Sequence, residues 1–187
     1  ESHVTIQQAM ARAARCAPGK ECGYVCVPVG ENDLETSDSA FYGNVRHVIL
    51  AMVESDEELL RDLRQWAVGV GQGKQTGDAA DSWPLPESLQ ALMFIPNDSQ
   101  LQAVQSAIET VVLDLIGNWH TKFGMLIQYK EEHGDCLVPH KFELEDGMKL
   151  GFWVNTQRTA YSKGTLSKER TQHLEELKFA WNPNKIK

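Results

Sequence analysis

The stretch that decides the fold runs from Trp119 to Trp181. It reads W-x9-Y-x3-HG-x3-VP over residues 119–139, LGFWVNTQR over residues 150–158, and Y-x2-G-x-L-x3-R-x3-L-x2-L-x-F-x-W over residues 161–181. Aromatic residues and leucines recur there at helical spacing, and glycines separate the recurring segments. This pattern predicts one small module of three helices around a core rich in aromatic side chains.

The boundaries of the three predicted helices follow from local signals. The first helix is expected near residues 118–132 and should end at Gly134, because glycine readily adopts the left-handed conformation that terminates helices. The second helix is expected over residues 148–162. Ser167 is placed to cap the third helix, since a serine oxygen can accept from the free N–H groups of a first turn.

The chain before this module has a different order of elements. Residues 4–15 predict a helix, residues 23–29 (GYVCVPV) predict a buried strand, and residues 41–65 predict a second helix. The order helix, strand, loop, helix is typical of the end of an α/β lobe. The predicted fold class is therefore an α/β remnant followed by a mainly α domain of three helices.

The segment between these two parts is predicted to be a linker and a connecting helix. Residues 68–82 are rich in glycine and polar residues, which predicts a flexible linker. A short strand is predicted over residues 89–96 and a helix over residues 100–115. These patterns divide the chain into three parts, which are residues 1–66, 67–115 and 116–184. The last part, extended to the end of the chain, is expected to fold alone.

Charge is distributed unevenly along the chain. Residues 1–115 contain 7 Lys and Arg against 17 Asp and Glu, and residues 116–187 contain 11 against 9. The first part is therefore a poor surface for phosphate groups, and the second carries a net charge of only +2. Any electrostatic contact with nucleic acid is expected in the second part, through a local patch.

The cysteines and the hydropathy favour a reduced, intracellular protein of the nucleus or cytoplasm. The four cysteines are Cys16, Cys22, Cys26 and Cys136. The spacing C-x5-C-x3-C matches no common zinc pattern, so we expect thiols and no metal site. No apolar run approaches the roughly 18 residues that a membrane helix needs, so no membrane partner is expected.

The stretch quoted first resembles the helicase-associated domain, and the resemblance extends over roughly residues 83–184. Its aromatic, leucine and glycine positions match that family, as do Gln157 and Arg158. Lys178 departs from the pattern, because the family usually has glycine before the phenylalanine at this point. The resemblance implies an accessory domain that helps a helicase to bind nucleic acid, either DNA or RNA.

A second resemblance lies near the start of the chain. Residues 8–15, QAMARAAR, resemble the Q-x-x-G-R-x-x-R motif of superfamily 2 helicases of the DEAD/DEAH type, with Gln8, Arg12 and Arg15 in the polar positions and Ala11 in place of glycine. The resemblance implies that Arg15 is an arginine finger and Arg12 its neighbour at the γ-phosphate of ATP, where a guanidinium can pair with the transferred phosphoryl group. The alternative is two solvated arginines on an alanine-rich helix.

Together the two resemblances imply the C-terminal part of an ATP-dependent helicase. The chain begins at Glu1, and we expect it to be part of a longer protein whose N-terminal motor lobe is its partner. The chain contains no G-x4-G-K-[ST] loop and no acidic metal-binding box. ATP and Mg²⁺ are therefore expected as cofactors of the parent only, and the chain alone is expected not to hydrolyse ATP.

Five residues are candidates for contact with nucleic acid. Arg158, Lys163, Lys168 and Arg170 are expected to contact phosphates, and Gln157 to bond a base or a sugar. The alternative for Gln157 and Arg158 is a structural role, in which they bond backbone carbonyls or nearby carboxylates. Two other functions stay open for the whole module. It could recruit nucleic acid or protein without a working motor, or it could be a structural buttress of the motor.

Overall fold

A computed structural model describes residue 27 and residues 40–73, 85–91 and 101–183 of the chain. The α-helices in these ranges are α1 (Ala40–Ser55), α2 (Glu57–Gly71), α3 (Glu87–Gln90), α4 (Leu101–Val112), α5 (Asn118–His133), α6 (Leu150–Ser162) and α7 (Lys168–Glu176). A π-helical segment, Leu113–Gly117, joins α4 to α5. The described ranges contain no strand, and none of their helices is both long and apolar enough to span a bilayer. The part of the protein described here is therefore mainly helical.

The α/β prediction depends on two elements that lie almost entirely outside the described residues. The predicted helix at residues 4–15 lies outside the described residues, and so does the predicted strand at residues 23–29 apart from Val27. Val27 has no regular secondary structure, and it packs against the core formed by the first helices. The α/β remnant therefore stays a prediction.

The single helix predicted over residues 41–65 is in fact two helices. Asp56 interrupts it with an extended backbone (φ −137°), and its Oδ1 accepts from the N–H groups of Glu58 and Leu59, each at 3.0 Å. Aspartate is among the best N-cap residues because its oxygen satisfies donors that have no partner inside the helix. The prediction of one continuous helix was wrong because the apolar periodicity continues across this cap.

Helix α2 runs to Gly71, four residues into the segment predicted as a flexible linker. The reason is close contact with α5. A Cβ at Gly71 would lie 1.9 Å from the carbonyl oxygen of Thr121, and a Cβ at Gly124 would lie 2.1 Å from the carbonyl oxygen of Val68. The linker prediction was wrong for this turn, because glycine's low helix propensity is outweighed by packing that only glycine allows.

The prediction of a short strand over residues 89–96 was wrong for its first two residues. Leu89 and Gln90 belong to the helix α3, which begins after Pro86. The Leu89 side chain is fully buried in the first core. A short apolar run fits a buried strand and a buried helical turn equally well, so periodicity alone cannot separate the two.

Two hydrophobic cores lie side by side. The first is built from α1 to α4 and includes Ile49, Leu63 and Val112. The second is built from α5, α6, α7 and the loop between α5 and α6, and Val68 of α2 packs against it. Helix α2 therefore contributes to both cores. Arg64 of α2 also pairs with Glu169 of α7 at 2.6 Å.

The three-helix module agrees with the sequence prediction in its elements and caps. Gly134 ends α5 with a left-handed backbone (φ 86°), and the Ser167 side chain accepts from the N–H of Arg170 at 3.3 Å at the start of α7. These signals act over three or four residues, which is why they can be read from the sequence. Lys178, at the position where the resemblance calls for glycine, also has a left-handed backbone (φ 56°).

Candidate nucleic-acid interface

Gln157 is a core residue of the module. Its side chain is 6% exposed. Its Oε1 accepts from Nε1 of Trp119 at 2.9 Å, and its Nε2 donates to the carbonyl oxygen of Trp153 at 3.4 Å. A buried amide needs such partners, and both are internal to the protein. Gln157 thus ties α6 to α5, as the structural alternative holds.

Arg158 is half-buried and joins α6 to the segment after α7. Its Nε donates to the carbonyl oxygen of Ala180 at 2.9 Å, and its guanidinium lies 5.3 Å from the centre of the Phe179 ring. Burial lowers the pKa of Arg158, since desolvation penalises the charged form. Its Nη2 is buried and has no hydrogen-bond partner. The Nε bond and the ring contact hold the guanidinium against the segment that follows α7.

Three other candidates lie exposed where α6 ends and α7 begins. Lys163 follows α6, Lys168 is the first residue of α7, and Arg170 lies in the first turn of α7. The guanidinium of Arg170 lies 5.3 Å from the centre of the Trp119 ring. We call Lys163, Lys168 and Arg170 the basic turn. The carboxylate between them in the chain, Glu169, is already paired with Arg64.

The outer face of α6 is a surface that the sequence prediction missed. Its exposed residues are Phe152, Asn155, Thr156 and Thr159, and the helix LGFWVNTQRTAYS contains no Asp or Glu. Phe152 is 61% exposed. The signal was present in the sequence, because Phe152 falls outside the spacing of the buried residues Leu150, Trp153 and Val154. No role was predicted for Phe152 from the sequence.

A groove between α2, α5 and α7 brings histidines together without forming a reactive group. His120 is 7% exposed, its Nδ1 lies 3.0 Å from the carbonyl oxygen of Ile116, and desolvation by burial lowers its pKa. The ring of His173 stacks on Trp119 and Phe123, with centroids 6.1 and 5.7 Å away. These contacts describe a stacked aromatic core, and the groove lining contains no Ser, Thr, Cys or Lys beside either histidine.

The described residues show no metal-binding cluster. No three His, Cys, Asp or Glu side chains in those ranges are grouped so that they could hold an ion. Cys136 is buried, and its burial raises the pKa of the thiol. Its Sγ lies 3.9 Å from the carbonyl oxygen of Leu177, so it acts as a packing residue.

The structure does not describe the three residues that were predicted to act on the nucleotide. Gln8, Arg12 and Arg15 lie outside the described residues, so their roles stay predictions. The site residues that the structure describes are therefore those of the C-terminal module alone.

Comparison with known proteins identifies this module. Residues 117–182 match the family model described as Helicase associated domain. The match spans α5, α6, α7 and the loops between them, which is most of the region over which the sequence resembles that family. No curated protein and no solved structure matches the chain. The resemblance to a helicase-associated domain is confirmed over these residues.

Proposed function

We propose, from the helicase-associated domain at residues 117–182, that this chain is the C-terminal part of an ATP-dependent superfamily 2 helicase. In this proposal the domain is the accessory module that binds nucleic acid. The observation that carries the proposal is the basic turn, in which three cations are exposed at the junction of two helices. The carboxylate of Glu169, which lies between them in the chain, is paired with Arg64.

The chemistry of the basic turn suits phosphate groups. A guanidinium held over an aromatic ring keeps its N–H groups free at its edge, where they can pair with two phosphate oxygens. Arg170 over Trp119 has this arrangement. The two lysines add point charges that neutralise phosphates without reading sequence. Such contacts give affinity for nucleic acid in general, and they suit an accessory module.

Gln157 and Arg158 are left out of the proposed contact surface. Both matched the family pattern, but Gln157 bonds Trp119 and the Nε of Arg158 bonds Ala180, so both serve the fold. Their role is to hold α6 against its neighbours. The proposed phosphate contacts are therefore reduced from four cations to the three of the basic turn.

The proposed motor function depends on residues 8–15. Arg15 would act as the finger and Arg12 as its neighbour at the γ-phosphate, with Gln8 in the same motif, once the N-terminal lobe has bound Mg²⁺ and ATP. The support is the QAMARAAR segment and the helicase-associated domain in one chain. Both point to the same kind of parent protein.

The test is binding of fluorescent oligonucleotides by the full chain. Three charges are removed together by Lys163→Gln, Lys168→Gln and Arg170→Gln. We expect the dissociation constant to rise by about tenfold or more at low salt, and three phosphate contacts predict a log–log salt slope of about −2 to −3 on duplex DNA. A matched control removes three cations elsewhere, by Arg46→Gln, Arg61→Gln and Lys122→Gln. It should bind as the unchanged chain does.

Equal binding by the basic-turn variant and the unchanged chain would contradict the proposed surface. Absence of binding by the unchanged chain at low salt would contradict nucleic-acid recognition altogether.

A second candidate function is a structural buttress of the motor. The observation that favours it is the contact of α2 with α5, in which backbone meets backbone at Gly71 and Gly124. Such a contact can hold a neighbouring domain in place without any ligand. The binding test separates the two candidates, since a buttress needs no affinity for nucleic acid.

A further inference from the structure

Phe152 presents an exposed aromatic ring on the outer face of α6. Among the described residues, Phe152 and Tyr161 are the large hydrophobic side chains that are exposed, at 61% and 43%. Tyr161 is stacked on Trp181, with ring centroids 3.9 Å apart. Phe152 has one ring contact within the described ranges, a T-shaped one with His140 at 6.5 Å between centroids. With 61% of the residue exposed, its ring is accessible to a partner.

The backbone beneath Phe152 is held in place. The preceding residue, Gly151, lies so close to the loop that a Cβ there would be 2.0 Å from the carbonyl oxygen of Pro139. Its N–H donates to the carbonyl oxygen of Phe142 at 3.1 Å. Trp153, on the other side, is buried in the core. An exposed ring on a fixed backbone loses little conformational entropy on binding, which is typical of interface aromatic residues.

The charges around this face favour a partner that is anionic and extended. Helix α6 has no carboxylate, and Lys149 and Lys163 flank its two ends, about 21 Å apart at 1.5 Å per residue. Lys141 and His140 line a shallow depression beside Phe152. Glu143 lines it too, and its carboxylate lies 3.8 Å from Nζ of Lys149. This pair is exposed to solvent, so a phosphate can compete for the lysine.

We propose that the outer face of α6 binds single-stranded nucleic acid, with an unpaired base stacked on Phe152 and phosphates at Lys149 and Lys163. The inference rests on the proposed function and adds the strand state of the substrate. Only an unpaired base can lay its π-face on the ring, whereas the bases of a duplex are stacked on one another. Asn155, Thr156 and Thr159 extend the face with short polar groups that leave room for a strand.

The experiment compares a single-stranded oligothymidylate of about 20 nucleotides with a duplex of the same length. The full chain and its Phe152→Ala, Phe152→Leu and Phe152→Trp variants are titrated with each. We expect Phe152→Ala and Phe152→Leu to weaken single-strand binding by about tenfold, in line with the effect of removing one stacked base. Phe152→Trp should restore it. Duplex binding through the basic turn should stay within about twofold in all variants.

Two further measurements sharpen the test. An oligonucleotide carrying 2-aminopurine should lose fluorescence when its base stacks, and the loss should be absent with Phe152→Leu. Glu143→Gln should strengthen single-strand binding by about twofold or more, because a carboxylate beside the phosphate path is removed. The melting temperature of Phe152→Ala should match that of the unchanged chain, since the side chain is exposed.

The outcomes separate this inference from the proposed function. If the unchanged chain binds nucleic acid and Phe152→Ala binds single strands equally well, the stacking site is refuted and the basic turn stands. Equal weakening on single strands and duplex would also refute it, since stacking on unpaired bases would then not be the cause. Failure of the unchanged chain to bind either form would refute the proposed function and the inference together.

Discussion

Lys178 is a lysine in a backbone conformation that favours glycine. Its φ is 56°, and it follows the last turn of α7. The N–H of Phe179 donates to the carbonyl oxygen of Leu174 at 2.9 Å, and the N–H of Lys178 donates to that of Glu175 at 2.8 Å. These two bonds form a Schellman motif, in which the left-handed position is usually glycine. The departure from the family pattern is thus accommodated without loss of the turn.

We expect Lys178→Gly to stabilise the protein. A left-handed conformation costs an L-residue about 1–2 kcal/mol, and part of this should be recovered, giving a gain of about 1 kcal/mol in the free energy of unfolding. Chemical denaturation followed by circular dichroism measures the gain. Lys163→Gly is the matched control, because Lys163 follows α6 with a φ of −83° and has no such strain to relieve. A Lys178→Gly variant no more stable than the unchanged chain would contradict the argument.

At the scale of elements, the crossing of α2 and α5 depends on two glycines. A Cβ at Gly124 would lie 2.1 Å from the carbonyl oxygen of Val68, a distance that no side-chain rearrangement can relieve because the obstacle is backbone. Gly69, on the same helix α2, has nothing within 4 Å of the position of an added Cβ. Substitution by alanine should therefore have different effects on stability at the two sites.

Gly124→Ala should destabilise the protein by about 2 kcal/mol or more, since overpacking forces the helices apart. Gly69→Ala should leave stability unchanged or raise it by up to about 1 kcal/mol, because alanine is the better helix former. Thermal unfolding of the two variants beside the unchanged chain gives the comparison. Equal melting temperatures for the two alanine variants would show that the helices do not meet at Gly124.

An element could be predicted from the sequence when the interactions that determine it are local in the chain. Gly134 and Ser167 act within one helical turn, so the ends of the module's helices could be predicted. The last turn of α2 could not, because Gly71 is helical on account of Thr121, which is 50 residues away in the chain. For the candidate site, the exposed cations at the start of α7 were predictable as charges near a helix end. The burial of Gln157 was not, since it depends on its partner Trp119.

At the scale of the whole molecule, the packing of the helicase-associated domain extends beyond the matched residues 117–182. Val68 of α2 packs on the second core, and Arg64 pairs with Glu169 of α7 at 2.6 Å. The sequence alone predicted that residues 116–187 fold independently. The structure adds that such a fragment would lose the helix that covers α5.

We therefore expect residues 40–187 to unfold at a clearly higher temperature than residues 116–187. The shorter fragment would expose the surface of α5 around Gly124 to water, with loss of buried apolar area and of the pairing at Glu169. Circular dichroism melts of both fragments measure the difference. If the two melt together with equal cooperativity, α2 contributes nothing to the domain and the sequence-based boundary is the right one.

The contact at Gly71 and Gly124 also has a mechanical consequence. At an ordinary helix interface, side chains change rotamer under load and absorb part of an applied displacement. At Gly71 and Gly124 peptide groups meet directly, so at these two points no side chain lies between the helices to absorb a displacement. A rotation of α2 would therefore be passed on to α5, and through the packed core to α6 and α7. Such a rotation would also reorient the basic turn and Phe152, which α6 and α7 carry.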